Sequence, residues 1–75
     1  MRFGELMQVF AGWRVRVTAL DEAGEEHVEE ISLLETVGAY DKLAKYDQAE
    51  VVRFTTGTMK QDGQQYPALE VVVRV

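Results

Sequence analysis

The chain has 75 residues, and its eight Lys and Arg against 13 Asp and Glu leave a net charge of −5. It can hold one domain, over residues 1–75, and its charge disfavours direct binding to nucleic acid. It has no cysteine and one histidine, which excludes disulfides and leaves too few ligands for a structural zinc site. The apolar content of 47% suits a folded domain. Because a chain this short buries only about 60% of its unfolded surface, a homo-oligomer is expected.

The first element follows from Phe3, Leu6, Met7 and Phe10, which recur at the spacing of an amphipathic helix, with Gly12 as its stop. Glu5 and Gln8 interrupt this stretch, so no apolar run reaches the length of a membrane span or a signal peptide; no membrane is expected, and the expected compartment is the cytoplasm. In WRVRVTAL, residues 13–20, Trp13, Val15, Val17 and Ala19 alternate with Arg14, Arg16 and Thr18, the period of a half-buried strand.

Asp21, Glu22, Ala23 and Gly24 form a turn. A second strand over 25–31, EEHVEEI, pairs back antiparallel, and its four glutamates suit a sheet edge. Ser32 and Glu35 make an S-x-x-E capping box, followed by Leu33, Val37, Tyr40 and Ala44 at helical spacing over 33–46. Gly38 costs that helix roughly 1 kcal/mol, so a loop through Gly38 and a short helix, AYDKLAKY, is an equal alternative.

AEVVRFTTGT, residues 49–58, reads as a third strand. Asp62-Gly63 is a turn dipeptide in the polar stretch after it, and PALEVVVRV, with Pro67 at its entrance, is the fourth strand. The order α-β-β-α-β-β predicts an α+β fold, a small two-layer domain with two helices on one face of a four-stranded antiparallel sheet.

Catalytic chemistry finds little support. His27 and Ser32 are the only imidazole and serine, they belong to different elements, and the six glycines are scattered singly. The chain is read as a non-enzyme without cofactor. Asp21, Glu22, Glu25, Glu26, Glu29, Glu30 and Glu35 fall between Arg16 and Lys42 with no lysine or arginine among them; this segment carries −7, and six acids with eight bases leave +2 elsewhere. The acids lack metal-binding loop spacing. They form either a solvated hairpin or a surface for a basic partner.

Trp13, Arg14, Arg16, Arg53 and Arg74, with Tyr46, make an alternative set for stacking on and binding a small nucleotide. The favoured reading instead makes Trp13 a core residue and pairs the arginines with Glu70 and the acidic hairpin. Tyr40 and Tyr46 are expected to contact the core, with Tyr46 the more exposed.

The sequence of FGELMQVF, WRVRVTAL, DEAGE and VGAYDKLAKYDQAEVVRF, closed by a valine-rich strand, resembles small accessory proteins of phages and prophages. The resemblance implies a protein that acts by binding in an infected or lysogenic bacterium, as an inhibitor of a host defence protein such as a CRISPR effector or as a sponge for a signalling nucleotide. The expected partner of the acidic segment is a host defence protein with a basic surface.

Overall fold

A computed structural model describes residues 1–10, 12–34 and 36–75. The order of elements is α1 (Phe3–Val9), β1 (Arg14–Leu20), β2 (Glu26–Ser32), α2 (Ala39–Ala44), β3 (Glu50–Gln61) and β4 (Gln64–Arg74). This is the expected α+β succession, with both helices against one face of a four-stranded sheet.

The sheet runs β2-β1-β4-β3. Each hairpin is antiparallel, but β1 and β4 at the centre are parallel, Val15 beside Leu69 and Val17 beside Val71. The sheet is therefore mixed, a correction to the all-antiparallel expectation. Local turns set each hairpin: Gly24 has φ 81° in the first, and Asp62 and Gly63 have φ 52° and 78° in the second, the mirror-image geometry that a two-residue connection needs. No turn sets the junction between hairpins. The two most apolar strands occupy the centre, where both edges are covered, and β3 starts at the opposite end of the sheet from where β2 stops. A crossover of that kind makes β2 and β3 parallel to each other, and β1 parallel to β4 with them.

The core fills the helix side. Val15, Val17, Ala19, Leu69, Val71, Val73 and Ile31 supply the sheet layer, and Phe3, Leu6, Ala39, Leu43, Tyr46 and Ala49 the layer above it. The first two N–H groups of α1, those of Phe3 and Gly4, have no partner within the helix. Phe3 N–H donates instead to the Ala49 carbonyl (2.9 Å) and Gly4 N–H to the Asp47 carbonyl (3.0 Å), which docks α1 on the loop after α2. The helix stops at Phe10, before Gly12, and the Phe10 ring lies where a side chain on Gly12 would sit.

The segment before α2 departs from the 33–46 helix. Gly38 takes a left-handed conformation (φ 70°) at the N-cap, and Thr36 folds back on Ser32, receiving its N–H on Oγ1 and donating to its carbonyl (3.0 and 2.9 Å). The short-helix alternative is the observed one, and Glu35, the other half of the expected capping box, lies outside the described residues. Starting the helix at Ala39 makes Ala39, Leu43 and Tyr46 the inward stripe. Tyr46 is buried, while Tyr40 is 72% and Val37 91% exposed, so the expected order of the two tyrosines is reversed.

Candidate interaction surfaces

Alternation along β2 divides the acidic segment between the two sheet faces. Glu29 lies opposite Val17 on the helix side and Glu30 opposite Arg16 on the open side. The Glu29 carboxylate accepts from Lys45 Nζ and from the Tyr46 hydroxyl, both at 2.7 Å. Lys45 first and Tyr46 second hold its carboxyl below the usual range, and burial together with this carboxylate pushes the Tyr46 phenol up. Glu30 pairs with Arg16 at 2.8 Å. Asp21 is built into the hairpin turn: its Oδ1 accepts from the N–H groups of Ala23 and Glu25 (both 2.9 Å), and its Oδ2 lies 3.1 Å from His27 Nε2. His27, and then the Glu25 N–H, lower its pKa. Ligand atoms of Asp21, Glu25 and His27 lie within 4.8 Å of one another, but the Asp21 oxygens are already engaged by the turn N–H groups and by His27.

Three of the sequence-identified carboxylates are structural in this way. Glu22, Glu25 and Glu26 remain exposed at the hairpin tip and the start of β2, and among the described residues their side chains have no hydrogen-bond or ion-pair partner. Glu35 lies outside the described residues. Beside the three, Val28 is 59% exposed on the open side, and the outer edge of β2 has no neighbouring strand.

The sheet face away from the helices carries Glu26, Glu30, Glu50 and Glu70 with Arg14, Arg16, Arg53 and Arg74, four charges of each sign. Arg16 lies between Glu30 and Glu70, pairs with both, and also donates to the Thr58 carbonyl (3.2 Å). Arg14 stacks on the Tyr66 ring, 3.8 Å from its centroid, and its Nε donates to Gln61 Oε1 at 2.9 Å. Arg74 lies 3.5 Å from Glu50. Arg53 alone of these arginines has no side-chain partner among the described residues. A shallow cavity of about 250 Å³ over Arg16, Thr18, Arg53 and Glu70 thus has a carboxylate in its wall.

The alternative nucleotide set does not come together. Tyr46 is on the helix side, packed edge-on to Phe3 at 5.8 Å, with the sheet between it and the arginines. Trp13 precedes β1 and is 54% exposed; its place in the core, which β alternation implied, is not observed, because the strand begins only at Arg14.

Sequence reading passed over the outer edge of β3. Phe54 is 51% and Val52 38% exposed there, and a bulge between Val51 and Arg53 interrupts the alternation. Phe54 lies beside Val71 on the helix side, where α1 and α2 leave it open. Between the helices, Met7, Phe10, Leu33, Tyr40 and Leu43 line a groove of about 290 Å³. Among the described residues no helix is long and apolar enough to cross a membrane. Compared with family models, curated proteins and solved structures, the chain has no significant match.

Proposed function

We propose that the chain is a non-enzymatic binding protein whose acidic hairpin tip and β2 edge engage a basic surface of another protein. The setting implied by the sequence resemblance is a phage-type inhibitor acting on a host defence protein in the bacterial cytoplasm. The observation that carries the reading is the exposure of Glu22, Glu25 and Glu26, without partners among the described residues, beside a strand edge that no described strand covers, while Asp21, Glu29 and Glu30 are each engaged within the fold. Charges of one sign placed together speed encounter and select a partner, and apolar contact beside them, here Val28, adds affinity. A catalytic role has little to draw on: His27 and Ser32 stand at opposite ends of β2, about 17 Å apart along the strand.

The test is a pull-down from bacterial lysate with the tagged chain and with a Glu22→Gln, Glu25→Gln, Glu26→Gln variant. Capture that weakens as salt rises and falls at least tenfold in the variant is expected. Capture indifferent to both changes would remove the acidic surface from the reading. The nucleotide sponge is less well supported, since Arg16 and Arg74 are paired with carboxylates of the same face, Arg14 is held by Tyr66 and Gln61, and Tyr46 lies on the far side of the sheet; isothermal titration with cyclic or ADP-ribose-derived nucleotides is expected to show no heat.

A further inference from the structure

The outer edge of β3 differs from other exposed features in having both an unsatisfied backbone and an unpaired charge whose complement lies on the same strand pair. β3 is twelve residues long and is bordered on one side only, by β4. Natural edges are usually blunted by lysine, proline or short length, yet from Arg53 to Met59 this one carries a single charge, Arg53, and three threonines. The bulge at Val52 protects only one end. Phe54 remains half exposed on the helix side. At Gly57 a side chain is missing, and the Glu70 carboxylate occupies its space, with Oε2 2.5 Å from where a Cβ would be.

We propose that β3 pairs antiparallel with β3 of a second copy of this chain, about a two-fold axis at Thr55, to make one continuous eight-stranded sheet. In that register Arg53 lies opposite Gly57 of the second copy, where no side chain obstructs it and where Glu70 of that copy presents its carboxylate. The row Glu30, Arg16, Glu70 then continues into Arg53 across the junction, twice by symmetry. Phe54 falls opposite Thr56 and diagonal to Phe54 of the second copy, within reach of aromatic contact, and both lie on the helix side. Val52 and its bulge stay outside the paired stretch. The opposite edge is disfavoured for such pairing, because β2 about a two-fold at Val28 sets Glu26 against Glu30, and about one at Glu29 sets Glu29 against itself. The inference is independent of what the β2 edge binds.

Sedimentation equilibrium of the full chain is expected to show a concentration-dependent dimer, with the dissociation constant raised at least tenfold by Arg53→Glu while the far-UV circular dichroism is unchanged. The chain has no cysteine, so Thr55→Cys introduces one thiol, and across the two-fold the Cα atoms would lie about 4.5–5.5 Å apart, within disulfide range. Mild oxidation is expected to crosslink Thr55→Cys rapidly and Glu26→Cys, on the other edge, at least tenfold more slowly. A chain that stays monomeric at all concentrations, a dimer unaffected by Arg53→Glu, or equal crosslinking of the two thiols would each overturn the proposal.

Discussion

The two edges of this sheet offer the same backbone groups and opposite side chains. β2 is seven residues long, with carboxylates on both faces, one held by Lys45 and Tyr46 and another by Arg16, while Glu26 and, in the turn before it, Glu22 and Glu25 have no partner among the described residues. β3 is twelve residues long and nearly uncharged along its middle, with Phe54 open. An unpaired strand is a general template for another strand. What differs here is which occupant each edge admits: carboxylates repel a second β2 and attract cations, whereas threonine, phenylalanine and one arginine oppose nothing in a second β3. On the two proposals, strand pairing would provide the adhesion and side-chain charge the address.

The largest expected effect erases both edges together. Val71 is buried at the centre of the shared core, and Val71→Asp places an uncompensated charge there, costing several kcal/mol against a total of about 5–15 kcal/mol. Far-UV circular dichroism at 25 °C is expected to show an unfolded chain. A smaller effect isolates the held part of the β2 edge. Tyr46→Phe leaves the ring against Phe3 and removes the hydroxyl bond to Glu29, which should lower stability by about 1 kcal/mol and the melting temperature by roughly 4–8 °C.

Acidification should loosen the same contact. The Glu29 carboxyl is lowered in the fold by Lys45 and Tyr46, with Lys42 adding a weaker attraction. Its contribution is therefore complete above the ordinary glutamate pKa of about 4.3 and is lost as the pH falls through the lowered value. Lys45 and Tyr46 are raised, so their contributions are present below about pH 10 and decline as the pH rises past it. Thermal melts across pH should show both declines, and Glu29→Gln should flatten the acid one. Smallest of all, the Glu22, Glu25, Glu26 to Gln variant should change stability by no more than about 0.5 kcal/mol, so that any loss of partner binding reads as loss of the surface and not of the fold.

The halves of the sheet were legible to different degrees. Val15, Val17 and Ala19 alternating with arginine, and Asp62-Gly63 between two β-rich runs, encode their hairpins within a few residues of chain, and both are observed. The glutamates of β2 marked an edge strand correctly, again from local composition. The parallel pairing of β1 with β4 has no local sign, since it depends on a comparison of how well four strands tolerate burial on both sides. Tyr40 and Tyr46 exchanged places because a helix phase counted from Leu33 differs from one that starts after Gly38. The separation of Glu29 and Glu30 from Glu22, Glu25 and Glu26 likewise required knowing the register, which assigns successive residues to opposite faces and so to different neighbours. The β3 edge was invisible because nothing in VVRFTTGT says which strands will stand at the sheet margin.

The parallel centre also governs the order in which the molecule can come into being. β4 leaves the ribosome after β1, β2 and β3, yet it lies between β1 and β3 and joins the two hairpins, pairing Val15 with Leu69. The first hairpin can close early, but β1 has no neighbour on its second side until β4 has been made. Contacts this distant in sequence slow folding. A nascent chain stopped before Leu69 would expose Val15 and Val17 with nothing to cover their edge, so truncation there should leave a fragment for proteolysis instead of a smaller domain.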